Sequence, residues 1–193
     1  MILSDGEIER ALDSGEISID PRPPKEFYST SAVDLCLSSD LLIFKSQEEL
    51  QVEEPGGVER RVILDLDKLD LQECLRKYAK PVTLGADGSY SFPQKTFLLG
   101  MTKEIVKLSR KSKIAARVEG KSRFSRTGLT IHMTAPTIHA DWEGAIALEM
   151  YNFGEYPVRL RPGMRICQLI FERLGRIPKR ASNTRFQKQK SLR

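Results

Sequence analysis

Seven consecutive residues, Gly120-Lys121-Ser122-Arg123-Phe124-Ser125-Arg126, combine three cations, two hydroxyls and a glycine. Glycine admits close backbone approach, hydroxyls and amides donate hydrogen bonds, and Lys and Arg bring positive charge. Together these are the parts of a phosphate cradle. The same composition also suits a solvated surface loop. It is not a Walker loop, because Ala115 stands where that motif needs its first glycine. A second chemical candidate is Glu149, within Gly144–Tyr151. Strand periodicity sends Ile146, Leu148 and Met150 to one face and Ala145, Ala147, Glu149 and Tyr151 to the other. Burial of such a carboxyl raises its pKa towards the range that general acid–base catalysis needs. On the polar side of an edge strand the same residue would be an ordinary solvated glutamate.

The elements that must position these groups are mostly strands. Ser4 or Asp5, with Glu7 and the Ile8, Ala11, Leu12 stripe, predicts a short helix over 4–14 that stops at Gly15. The Asp20–Pro24 stretch reads as an extended connector. Val33, Leu35 and Leu37 alternate with polar residues, and Leu41–Phe44 follows as another strand. Residues 46–61 read as a loop or hairpin tip around Pro55-Gly56-Gly57, and Leu69–Tyr78 as a short helix before a turn at Gly85–Gly88. Further strands are predicted at Thr96–Met101, Ile114–Val118, Leu129–Thr134, Gly144–Tyr151, Tyr156–Leu160 and Arg165–Phe171. Short strands at this density predict a mainly β barrel or jelly-roll-like sandwich. Trp142 reads as a packing anchor and His132 as a structural histidine. The main chain of Met133-Thr134-Ala135-Pro136, ending a strand, can present polar groups to a ligand edge.

Composition excludes several classes. The chain has 193 residues, enough for one core without disulfides. No apolar run is long enough to span a bilayer, and the opening MILSDGEIER lacks the basic and apolar regions of a signal peptide. Cys36, Cys74 and Cys167 are widely spaced and odd in number, which fits a reducing cytoplasm. With His132 and His139 they form no zinc-site spacing. The net charge is +5, from 31 Lys and Arg against 26 Asp and Glu. The last 18 residues hold seven cations and no acid, so residues 1–175 carry 24 cations against 26 acids, a net −2. Residues 176–193 thus read as a flexible basic tail, either solvated or an arm that closes over an anion.

Taken together these pieces resemble the deoxycytidine triphosphate deaminase family, related in fold to trimeric deoxyuridine triphosphatases. The resemblance rests on MILSDGEIERAL followed by Ile19-Asp20-Pro21, on Ser31-Ala32-Val33-Asp34-Leu35, and on Glu119-Gly120-Lys121-Ser122 with Arg126 and Gly128-Leu129. It continues through Trp142-Glu143-Gly144, Leu148-Glu149-Met150-Tyr151-Asn152, Leu160-Arg161-Pro162-Gly163-Met164, Gln168-Leu169, and Arg185-Phe186-Gln187-Lys188-Gln189. It implies a distorted β-barrel subunit over 1–175, a C-terminal lid over 176–193, and a homotrimer with active sites at subunit interfaces. The implied reaction is zinc-independent deamination of dCTP to dUTP, with Glu149 as general base and Ser122 and Arg126 positioning water and substrate. Lys121 and Arg123 would hold phosphate. Met133, Thr134 and Ala135 would present main chain to the pyrimidine, and His139 would lie beside the sugar. Arg185, Phe186 and Gln189 would cover a triphosphate that carries Mg²⁺.

Four positions depart from the family pattern, among them Thr137, which stands where some relatives have arginine. Arg123 replaces a serine, His139 an aspartate and Phe186 a tyrosine. Asp141 could substitute for the lost aspartate if the strand before it continues. Four alternatives follow: dUTP pyrophosphatase, a bifunctional deaminase–pyrophosphatase, a nucleotide-binding relative without turnover, and a nucleic-acid-binding module. The last rests on the basic tail alone.

Overall fold

The computed structural model describes residues 1–50, 62–180 and 187–192. Helix α1 spans Asp5–Asp13. Its N-terminus carries a capping box: the Ser4 backbone amide donates to the Glu7 carboxylate at 2.9 Å, and Ser4 caps the first turn. Gly15, at φ 74°, ends it. Among the described residues twelve strands follow: β1 (Ile17–Asp20), β2 (Val33–Cys36), β3 (Leu42–Phe44), β4 (Ala79–Pro81), β5 (Tyr90–Phe92), β6 (Phe97–Leu108), β7 (Ile114–Gly120), β8 (Leu129–Thr130), β9 (Thr137–Ile138), β10 (Glu143–Asn152), β11 (Val158–Leu160) and β12 (Arg165–Arg173). Helix α2 (Leu71–Tyr78) precedes β4, and the single turn α3 (Ser122–Ser125) joins β7 to β8.

The strands form three sheets. One has the order β4-β3-β6-β10-β8, with β1 also on β6. The second is β2-β12-β7-β9, and β11 pairs with β5. One apolar cluster draws Leu98, Val106, Leu148 and Met150 from the first sheet and Val33, Leu35, Val118 and Phe171 from the second. The two sheets thus share a core, the usual solution for sheets with one apolar face each. The buried Glu104 of β6 crosses between them and accepts a hydrogen bond from the Cys36 amide at 2.9 Å. Burial, then Glu104, pushes the Cys36 thiol up to about 11.

The mainly β expectation holds, and the differences are local. Strand β6 runs seven residues past Met101, because Lys103 and Lys107 face water while Glu104 turns inward. The strand expected at Leu129–Thr134 stops at Thr130. There the Thr130 hydroxyl donates to the His132 carbonyl at 2.7 Å and bends the chain away from β10. No strand is expected between Gly15 and the Asp20–Pro24 connector; β1 (Ile17–Asp20) forms there because it pairs with β6, a tertiary event. In β2 all four residues are buried: Asp34 is covered by its ion pairs with Lys121 and Arg165, and the Cys36 amide bonds to Glu104 of the facing sheet. Most of the loop expected over 46–61 lies outside the described residues.

Candidate active site

The cationic loop sits on a firm base. Gly128 adopts φ 88°, and a Cβ there would lie 2.4 Å from the Gly154 amide, so only glycine lets the loop pack against the end of β10. The Phe153 amide donates to the Gly128 carbonyl at 2.8 Å. Between these anchors α3 presents Ser122, Arg123 and Arg126, all exposed, into a groove of about 920 Å³. Glu119, Thr130, His132, Phe153 and Gln168 complete its walls. The Arg123 guanidinium lies over the Phe124 ring, 4.6 Å from its centroid, a placement that supports it without neutralising it.

Lys121 also lines the groove, but its charge is engaged differently. Its ammonium pairs with the buried Asp34 carboxylate, which also lies 3.4 Å from the Arg165 guanidinium. A buried carboxylate demands such compensation. The positive charge of Lys121 is therefore largely spent inside the protein, and Arg123 and Arg126 are the cations left to face the groove. Asp34 on β2 is thus what sorts the three.

Glu149 occupies a second cavity, of about 520 Å³, lined mostly by Phe44, Leu71, Leu75, Leu99, Trp142, Ala147 and Leu192, with Ala135, His139 and Gln189 at its polar side. Strand β10 places it there. Register pairs Glu149 with Leu99, while Leu148 and Met150 on the opposite face are fully buried in the core. Half-burial beside apolar walls raises the Glu149 carboxyl above its ordinary value. Its own amide, the Met133 amide and the charge of His132 oppose that rise.

The bend between β8 and β9 separates the two cavities. His132 faces the groove, with Nε2 3.8 Å from Glu119, and its Nδ1 is buried without a hydrogen-bond partner. Met133, Thr134 and Ala135 are exposed in irregular backbone, and Ala135 reaches the Glu149 cavity. Trp142 is buried in the core, as a packing residue should be. Strand β9 ends at Ile138, so the face that would have carried Asp141 towards the cavity is lost. Asp141 instead sits in a turn at φ 72°, its amide donating to the Leu108 carbonyl at 3.1 Å.

The tail is not uniformly loose. Residues 187–192 lie against the start of β10. The Lys188 amide donates to the Glu143 carbonyl at 2.6 Å, and the Ala145 amide donates to the Gln189 carbonyl at 2.8 Å. Arg185 and Phe186 lie outside the described residues. Gln189 and Leu192 line the Glu149 cavity. Nothing in the basic composition of the tail marked Leu192 as buried. Its signal was a lone leucine in a polar segment.

One chain thus splits the expected constellation: Ser122, Arg123 and Arg126 line the groove, while Glu149, Ala135, His139 and Gln189 line the cavity. Among the described residues, no three His, Cys, Asp or Glu side chains are grouped to hold a metal ion.

Residues 2–174 match the family model described as dCTP deaminase-like. The chain belongs to the dCTP deaminase-like family. It is 36% identical over 176 residues to a dCTP deaminase of Rhodospirillum rubrum, covering 90% of this chain and 83% of that one. It is 37% identical over 171 residues to a protein of Methanosphaera stadtmanae named dCTP deaminase, dUMP-forming, covering 89% of this chain and 78% of that one. A solved 2'-deoxycytidine 5'-triphosphate deaminase from Agrobacterium tumefaciens shares the fold, with a TM-score of 0.63 and 20% identity over 90% of this chain. The present chain spans about half of that structure's length, 48%. For this dCTP deaminase-like chain the split between groove and cavity is the geometric fact that a function must accommodate.

Proposed function

We propose that the protein hydrolyses the C4 amine of dCTP, releasing dUTP and ammonia, and that Glu149 is the general base. The observation that carries this reading is a single carboxylate of raised proton affinity in an apolar-walled cavity, beside exposed main chain at Ala135. A carboxyl poised above its ordinary pKa can take a proton from water as the oxygen attacks C4, then hand protons to N3 and to the departing amine. The balance is dCTP + H2O → dUTP + NH3. The main chain around Ala135 would hold the pyrimidine edge, and His139 would face the sugar.

The groove supplies the other half. Ser122 and Arg126 would orient water and stabilise charge developing on the ring, and Arg123 and Arg126 would hold the triphosphate. Because these residues line a different cavity from Glu149 in one chain, a complete site would take its groove from one copy and its cavity from another. This supports a cyclic homo-oligomer, a trimer in the family pattern. Mg²⁺ would be carried by the triphosphate. The acid at the groove, Glu119, is already 3.5 Å from Arg117, and the groove cations fit a metal-bound triphosphate better than a bare ion. Its chemistry there is to neutralise phosphate charge. The substrate would come from the cytoplasmic nucleotide pool.

Monophosphate formation requires a carboxylate to activate water at phosphorus. His139, not a carboxylate, faces the cavity, so deamination without pyrophosphate release is the favoured reading. Incubation with each deoxynucleoside triphosphate and Mg²⁺, followed by chromatography and an ammonia assay, tests it. Conversion of dCTP to dUTP with one ammonia is the expected result. Release of a monophosphate would establish the bifunctional alternative, and no turnover would leave a nucleotide-binding relative.

A further inference from the structure

Leu192 is 2% exposed although it lies in the most basic stretch of the chain. It packs with Leu42, Leu75, Ala79, Met101 and Ala145 in an apolar cluster separate from the main core. Its amide donates to the Asp40 carboxylate at 2.7 Å. Three residues earlier Gln189 makes a single parallel bridge to Gly144, so the segment docks on the start of β10. Gly144, at φ 156°, is the landing point: a Cβ there would lie 3.0 Å from the Gln189 carbonyl oxygen. The Gln187 side chain closes the other end, donating to the Asp141 carbonyl at 2.6 Å and accepting from the Glu143 amide at 3.3 Å.

These contacts are all within one chain. We infer that Leu192 is a positioning residue: it anchors residues 187–192 as a permanent wall of the Glu149 cavity and thereby places Gln189 there before substrate arrives. Two backbone-to-backbone hydrogen bonds and one amide-to-carboxylate bond alone would leave a terminal segment fraying, since such segments open at little cost. A buried leucine side chain shifts that equilibrium about tenfold or more towards the docked state. Tail residues placed in advance lower the ordering cost of binding, so the anchor acts on KM rather than on the chemical step.

The functional half of this inference rests on the deaminase reading, and the experiment separates the two. Hydrogen exchange on nucleotide-free protein should show the Ala145, Lys188 and Leu192 amides protected. Leu192→Ala should expose those three and leave β6 and β7 amides unchanged. Leu192→Met, which keeps an apolar side chain of similar volume, should restore protection. In turnover assays Leu192→Ala should raise KM for dCTP about tenfold with kcat within about twofold. Tail amides that exchange freely in the nucleotide-free wild type would overturn the anchor, as would an unchanged KM in an active enzyme. Protected tail amides in a protein that never deaminates dCTP would overturn the deaminase reading and leave the anchor standing.

Discussion

The groove and the cavity are opposites in construction. The groove takes most of its lining from one short segment, residues 119–132, whose exposed cations and hydroxyls lie close in sequence, with Phe153 and Gln168 added from β10's end and β12. The cavity is assembled from β3, α2, β6, the β9 region, β10 and the tail, and its single acid owes its altered proton affinity to neighbours remote in sequence. Phosphate recognition needs exposed positive charge, which a loop can provide alone. Proton transfer near neutral pH needs a carboxyl partly removed from water, which only packing can provide.

The largest test of the contrast is Glu149→Gln. Ammonia release should fall at least about a thousandfold, while dCTP affinity measured by calorimetry changes less than about threefold. Comparable loss of affinity would make Glu149 a binding residue. Next in size is Arg126→Ala, which should lower kcat/KM about a hundredfold in steady-state assays by removing charge from the groove. Arg123→Ala should be milder, raising KM about tenfold with kcat retained, because its guanidinium holds phosphate from a stack on Phe124 and not the reacting ring.

Lys121→Ala sharpens the comparison within the groove itself. Its ammonium serves Asp34, so the variant should lose about 1–3 kcal/mol of stability, read as a lower Tm, with Arg165 still partly compensating the carboxylate. A fall in affinity without a fall in Tm would return Lys121 to the phosphate site. The smallest effect is in pH dependence. The Glu149 carboxyl binds its proton more tightly in the folded state than in the unfolded one. Stability from this group is therefore greatest at acid pH and declines as pH rises through its folded pKa. Activity moves the other way, since the base must be ionised. The acid limb of kcat/KM should lie above the usual carboxylate range, and Glu149→Gln should unfold with a flatter pH dependence across it.

Much of the architecture was readable from local chemistry. Ser4 and Glu7 announced α1 because a capping box is a contact within four residues. The apolar–polar alternation through Ala145–Met150 announced β10 and the face bearing Glu149. Where one charged residue turned inward the reading failed. Glu104 interrupts the apolar pattern of β6 because its partner, the Cys36 amide, is 68 positions away. Strand β9, two residues long, exists only because β7 is beside it.

The amino-acid sequence by itself determined the family, the β-rich scaffold and the residue types available for chemistry, since strand periodicity and the cationic loop are properties of neighbouring residues. The tertiary structure decided which of those residues are free to act. Lys121 and Arg123 are both cations two positions apart, yet a buried Asp34 claims one and leaves the other to the groove. Leu192 reads as part of a polar tail, yet an apolar recess beside β10 makes it an anchor. Both outcomes turn on desolvation, which depends on what lies across the fold.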